Sequence, residues 1–229
     1  MKSTMNQCFY LFKWIAVAAS LVMFQNGRTP SQAAETGLRV AAFAADITPS
    51  LGDPLGLTPP AATIEHPLAA KGVVLRDGGG TYVLCSLDLA LVSNGSYAVL
   101  RERLAEAAGT APSRVALHEV QQHTAGALDL DMQRLLEEQK DAPAVCSRAY
   151  FDRVAENTAA AVREAAGRLL PATHVGWGSA AVERVASSRR VRMPDGRIVT
   201  RWSAARDPAL RELPEGLIDP LLRTVAFFD

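Results

Sequence analysis

The sequence has no excess of either charge and few of the residues that build cofactor sites. Its 24 Lys and Arg residues equal its 24 Asp and Glu residues, so bulk charge does not attract it to nucleic acid. It has three cysteines and no Cys-x-x-Cys pair, which argues against a thiolate metal site. It also lacks the Gly-x-Ser-x-Gly, phosphate-loop and dinucleotide-binding motifs. An apolar content of 48% nevertheless predicts a folded domain.

The first 34 residues have the pattern of a secretory signal. A basic segment ending at Lys13 precedes the apolar run 14–24, which is shorter than the roughly 20 residues of a membrane-spanning helix. Small and polar residues follow, and we expect cleavage near Ala33 or Ala34. The alternative is an uncleaved N-terminal anchor. The pattern predicts a secreted or periplasmic protein with no transmembrane span after signal cleavage.

Two cysteines, Cys85 and Cys146, remain after that cleavage. They could form one disulfide in an exporting compartment. Because Cys85 lies within the apolar strand pattern 82–87, a buried thiol that packs as a small apolar side chain is favoured.

Residues 36–229 alternate between strand and helix patterns. Strands are predicted at 38–47, 68–76, 81–87, 115–120, 173–182 and 224–228, with turns at 77–80 and 194–196. Helices are predicted from Ser96 to Ala108, closed by Gly109, and from Ser147 to Ala166, closed by Gly167. One face of the longer helix is formed by Phe151, Val154, Ala155, Thr158, Val162 and Ala165. The interleaving predicts an α/β or α+β fold with a mixed β-sheet core and covering helices.

The last predicted strand is apolar on both faces. Its β-branched and aromatic residues are typical of a strand with neighbours. We therefore expect an incomplete domain, which forms a homodimer or binds a C-terminal partner through this strand.

The polar turn after the strand 115–120 carries candidate metal ligands. The sequence has only four histidines, His66, His118, His123 and His174, whereas a catalytic zinc usually needs three protein ligands. Residues at i and i+2 of a strand point the same way, which pairs His123 with Gln121. A glutamine is a poor, neutral zinc ligand, so the spacing alone supplies one good ligand, His123, where two would be expected.

Two further polar groups have both a structural and a functional interpretation. Asp129 and Asp131 precede a helix-like segment and are favoured as N-terminal caps over acid–base groups. The basic cluster Arg184, Arg189, Arg190 and Arg192 fits a solvated strand edge. It also fits an anion-binding site, since guanidinium matches carboxylate and phosphate geometry.

Seven segments in order resemble the neutral/alkaline, non-lysosomal ceramidase family. They are Ala42–Pro49, His66–Leu75, Ser86–Asp88, Gln121–Thr124, Val185–Arg190, Arg206–Pro208 and Glu215–Pro220. The fourth resembles the family's His-x-His motif, with Gln121 in place of the first histidine. The fifth is similar to its Asn-Arg segment, with Ser188 in place of the asparagine and Arg189 matching the arginine.

The resemblance implies a partial ceramidase-like N-terminal domain over 36–229. It also implies a zinc-dependent amidase acting on the N-acyl bond of ceramide-like lipids. Zinc would be the cofactor, His123 and Gln121 would occupy metal-ligand positions, and Arg189 would be the catalytic, substrate-side arginine. The family's second histidine and its glutamate and tyrosine ligands lie beyond the matching segments.

Three hypotheses stay open. The chain is the N-terminal part of a zinc amidohydrolase, whose activity needs further sequence. Alternatively, it is an exported, non-catalytic domain that binds a lipid or glycan. The third hypothesis is a partner-binding half that completes its sheet with another chain.

Overall fold

A mixed five-stranded sheet forms the centre of the computed structural model, which describes residues 37–229. Its strands are β1 (Arg39–Asp46), β2 (Ala69–Asp77), β3 (Gly80–Leu87), β5 (Val115–Glu119) and β7 (Leu170–Pro171). They lie in the order β5-β3-β2-β1-β7, with β3 and β5 parallel and the other pairs antiparallel. The short strands β4 (Leu91–Val92) and β6 (Ala127–Leu128) pair separately. The α+β fold class predicted from the sequence is confirmed.

The β2–β3 hairpin forms where the Asp-Gly-Gly-Gly run predicts it. Asp77 Oδ1 accepts hydrogen bonds from the main-chain N–H of Gly79 at 2.8 Å and of Gly80 at 3.2 Å. Gly80 has a φ of 134°, a conformation that side-chain-bearing residues rarely adopt. The turn therefore sets the register that pairs Gly72 with Cys85.

Two long helices cover one face of this sheet. They are α1 (Asn94–Ala108) and α3 (Arg148–Gly167), and the shorter α2 (Leu130–Glu137) and α4 (Pro208–Arg211) lie outside this layer. The six residues predicted for one face of α3 are all buried. The five apolar ones pack with Phe43, Val83 and Leu117 of the sheet in one apolar core.

The N-terminal end of α1 differs from the sequence prediction. Ser96 does not cap the helix: it is buried, and its hydroxyl accepts from Leu130 N at 2.9 Å. The N-cap position belongs to Ser93, and the helix amide of Gly95 donates to Asp131 Oδ2 at 2.8 Å. A main-chain N–H at the start of α1 thus has its hydrogen-bond acceptor in a carboxylate 36 residues away, which a local pattern does not reveal. Gly109 closes the helix in the left-handed region, as predicted.

The C-terminal third forms two separate ribbons. Strand β8 (His174–Ala181) pairs with β11 (Leu221–Phe228), and β9 (Arg190–Arg192) pairs with β10 (Ile198–Thr200) around the predicted 194–196 turn. The last strand begins at residue 221, three residues before its predicted start. Its apolar side chains are largely exposed, as is Trp177 opposite it. Association through this strand stays a prediction.

Cys85 and Cys146 are buried free thiols, which confirms the favoured interpretation. Burial raises the pKa of Cys85 to about 12, so this thiol stays protonated at neutral pH. The predicted signal, residues 1–34, lies outside the described residues. Among residues 37–229, no helix is long and apolar enough to cross a membrane.

Candidate functional site

The turn after β5 is held against the segment that follows β3. Val120 N donates to Leu87 O at 3.1 Å, and Gln122 N donates to Leu89 O at 3.2 Å. The strand ends at Glu119, one residue before its predicted end. Parallel pairing of β5 with β3 brings both carboxyl-terminal strand ends to the same sheet edge, where loops commonly display functional side chains.

Gln121 and His123 do not continue the strand. Gln121 has a φ of 57°, the left-handed region, so the same-face geometry of strand positions i and i+2 does not apply here. Both side chains are exposed. Between them, Gln122 orders the turn, because its Oε1 accepts from the main-chain N–H and, at 2.8 Å, from the hydroxyl of Thr124.

A cavity of about 410 Å³ lies between this turn and the long loop from residue 48 to residue 68. Its polar lining includes Glu65, His66, Gln122 and Thr124, and its apolar lining includes Leu55, Ile64, Leu68 and several prolines. Neither His66 nor Gln122 is predicted from the sequence as a site residue. The proximity of Gln122 to His123 was the available signal, whereas nothing local indicated His66.

Hydrogen bonds and an ion pair hold the loop that forms one wall of this cavity. Thr48 Oγ1 accepts from Leu68 N at 2.9 Å, which joins the two ends of the loop. Gly52 N donates to Ala61 O at 2.7 Å. The loop is also joined to α3, since Arg153 lies 2.8 Å from the Asp53 carboxylate. The loop is therefore attached both to the sheet and to the covering helix.

The donor set at the turn does not fit a complete zinc site. A catalytic zinc needs three protein ligands as well as an open position. Within residues 37–229, no three His, Cys, Asp or Glu residues are grouped so that they could hold a metal ion. His123 is exposed, Gln121 offers only a neutral amide, and His174 has its Nδ1 2.8 Å from the Thr173 hydroxyl.

Arg189 does not line the cavity beside the turn that carries His123. Its guanidinium is centred 5.1 Å from the ring of Trp202. Both residues line a second cavity of about 530 Å³, whose lining shares no residue with the first. The structure thus brings His123 and Gln121 together in one turn but does not bring Arg189 into the cavity beside it.

Asp129 caps the helix that follows it, as the sequence favoured, whereas Asp131 accepts from the start of α1. Asp129 Oδ1 accepts from Met132 N at the start of α2, and its Oδ2 accepts from Ser93 and Asn94 at 2.6 and 2.7 Å. Burial alone would raise the pKa of Asp129, but these hydrogen bonds outweigh it and lower the pKa. The residue therefore stays ionised, as a cap requires, and joins the two helix starts.

The comparisons with known proteins agree on a fold. No family model matches the sequence, and no curated protein matches it. A solved structure described as a ceramidase complexed with C2 is 18% identical, with a TM-score of 0.60 over 85% of this chain and 29% of that chain. The neutral ceramidase from Pseudomonas aeruginosa is 19% identical, with a TM-score of 0.55 over 85% of this chain and 30% of that one. The chain thus spans less than a third of either ceramidase, and over that span it has the neutral ceramidase fold.

Proposed function

We propose that this chain is a ceramidase-like domain that binds N-acyl amide lipids in the cavity beside the Gln121–Thr124 turn. The observation that carries the proposal is the position of this cavity, at the strand end where the sequence resembles the family's His-x-His motif. The fold similarity to two ceramidases supports the same assignment. The domain would act in the periplasm or outside the cell.

The cavity lining suits an amide attached to hydrocarbon. Leu55, Ile64 and Leu68 provide apolar surface for an alkyl chain, at about 25 cal/mol per Å² of surface removed from water. Gln122, Thr124 and His66 provide hydrogen-bonding groups for an amide. Polar and apolar residues line the cavity in nearly equal number, which suits a ligand that carries both a hydrocarbon chain and an amide.

Zinc-dependent hydrolysis would need more metal ligands than residues 37–229 group together. The resemblance implies zinc chemistry, yet this part of the chain holds no three grouped ligands. We infer that the remaining ligands come from outside these residues, and that the chain by itself binds the lipid without turning it over. Arg189 does not line the amide-lipid cavity, and its substrate-side role stays a prediction.

A second candidate is an exported, non-catalytic domain that binds a lipid, glycan or protein partner. It rests on one feature, the exposed Gln121 in a left-handed conformation where the family motif has a histidine. The two candidates differ in whether added sequence restores hydrolysis.

Binding of a short-chain ceramide to the full chain, measured by calorimetry, tests the proposal. We expect saturable binding that Ile64→Glu weakens by about tenfold or more, because a charge would lie in the apolar wall. Leu57→Glu is the matched control, since Leu57 is 55% exposed against 47% for Ile64 but does not line the cavity. Absence of saturable binding, or equal weakening by both variants, would overturn the proposal. Release of fatty acid by the chain alone would contradict the inference that the site is incomplete.

A further inference from the structure

The second cavity concentrates positive charge. Four arginines line it, Arg184, Arg189, Arg201 and Arg211, and we call this set the arginine basin. Glu215 is the one acidic residue in its lining, so three positive charges are in excess. Only Arg184 and Arg189 belong to the basic cluster visible in the sequence. Arg190 and Arg192 lie on β9 and do not line this cavity.

The excess charge is not neutralised elsewhere. Among the ion pairs formed within residues 37–229, none involves an arginine of the basin. The carboxylate of Glu215 accepts a hydrogen bond from the main-chain N–H of Arg184, not from a guanidinium. Such an uncompensated cluster in a concave surface attracts anions.

Arg201 supplies a fixed charge in the wall of the basin. It is buried, and its terminal nitrogens donate to five main-chain carbonyls, those of Ser188, Leu210, Leu213, Pro214 and Glu215. Carbonyl oxygens satisfy the donors without cancelling the charge. The Nε of Arg201 is also buried, and it has no hydrogen-bond partner among the described residues. The charge therefore acts across a poorly solvated wall, where it is screened less than in water.

Arg189 and Arg184 supply the accessible donors. The centre of the Arg189 guanidinium lies 5.1 Å from the centroid of the Trp202 ring, which favours stacking of the two planes. A stacked guanidinium keeps the N–H donors along its edge free for a ligand. Arg184 is exposed and has a φ of 61°. A non-glycine residue in the left-handed region is strained, and such strain concentrates at ligand sites.

We propose that the arginine basin binds a phosphate-type oxyanion, carried either as free phosphate or on the headgroup of an anionic lipid. Paired guanidinium donors match the oxygens of such a group, and bonds of this kind are among the strongest hydrogen bonds in proteins. A dianion offsets the excess charge better than a carboxylate does. This site is separate from the amide-lipid cavity and does not depend on the proposed function.

Calorimetric titration of the full chain with inorganic phosphate, against chloride at the same ionic strength, tests the site. We expect saturable binding that Arg184→Gln and Arg189→Gln each weaken by about tenfold, the loss of one charge-assisted bond. The phosphate affinity of Arg189→Lys should lie between that of these two variants and that of the natural chain, because lysine keeps the charge and loses the paired N–H donors of the guanidinium. Arg192→Gln is the matched control, an exposed arginine outside the basin, and should change binding less than twofold, on the order of a surface substitution.

Cosedimentation with phosphatidylcholine vesicles, with and without phosphatidylglycerol, distinguishes the two sources. Capture only by the anionic vesicles, lost in Arg189→Gln, identifies a lipid headgroup, whereas phosphate binding without capture identifies the free ion. All exchanged residues are exposed, and circular dichroism verifies that each variant is folded. The proposal is overturned if neither phosphate nor anionic vesicles bind. It is equally overturned if Arg192→Gln weakens binding as much as Arg189→Gln. Binding would then depend on the net positive charge of the region and not on the arginines that line the basin.

Discussion

Replacing Tyr150 with alanine should lower the free energy of unfolding by about 3–5 kcal/mol, the range for truncating a buried aromatic side chain. Tyr150 is fully buried, and its hydroxyl donates to Ile47 O at 2.7 Å. Its ring closely contacts Gly126, where an added Cβ would lie 2.4 Å from Tyr150 Cε1. One side chain on α3 therefore packs against the segment that follows the His123 turn and bonds to the residue that follows β1.

Chemical denaturation followed by circular dichroism measures this effect, and Tyr150→Phe is its control. The phenylalanine variant keeps the ring and loses one hydrogen bond, so it should lose only about 1 kcal/mol. A Tyr150→Ala variant as stable as the natural chain would show that α3 does not pack here as described.

Exchanging Arg201 for methionine should cost about 2–4 kcal/mol, because five main-chain carbonyls lose their charged donors at once. The substitution keeps much of the apolar stem and removes the guanidinium. The carbonyls belong to two separate stretches, residue 188 and residues 210–215, so we expect the connection between these stretches to loosen first.

Hydrogen exchange at residues 188–215, together with thermal unfolding, measures that loss. Arg192→Met is the control, an exposed arginine whose exchange should change stability by no more than about 0.5 kcal/mol. Unchanged exchange protection in Arg201→Met would mean that these carbonyl bonds do not hold the C-terminal third together.

The sequence predicted correctly those helices and turns that are determined by residues within the same element. The buried stripe of α3 follows the period of a helix, and the 77–80 turn follows from an aspartate and three glycines. Gly109 likewise ends α1 by its own left-handed conformation. These signals lie within one element, so a single sequence was enough to find them.

Features set by distant residues were missed or wrongly placed. Ser96 looks like a helix cap, yet Asp131 satisfies the start of α1 from another helix. His66 reaches the cavity because the loop from 48 to 68 folds back to β2. The arginine basin joins residues 184 and 189 to residues 201 and 211, and no spacing rule links these positions. The resemblance identified the fold, but the same-face strand geometry that the spacing predicted for Gln121 and His123 is absent.

The zinc content of the dialysed full chain is the most direct test of whether residues 37–229 hold only part of a metal site. Elemental analysis of the natural chain, Gln121→His and His123→Ala should give far less than one zinc per chain in all three, because too few ligands are grouped at the turn. Gln121→His alone should also fail to produce amidase activity. One zinc per natural chain, lost in His123→Ala, would show instead that the metal site is complete.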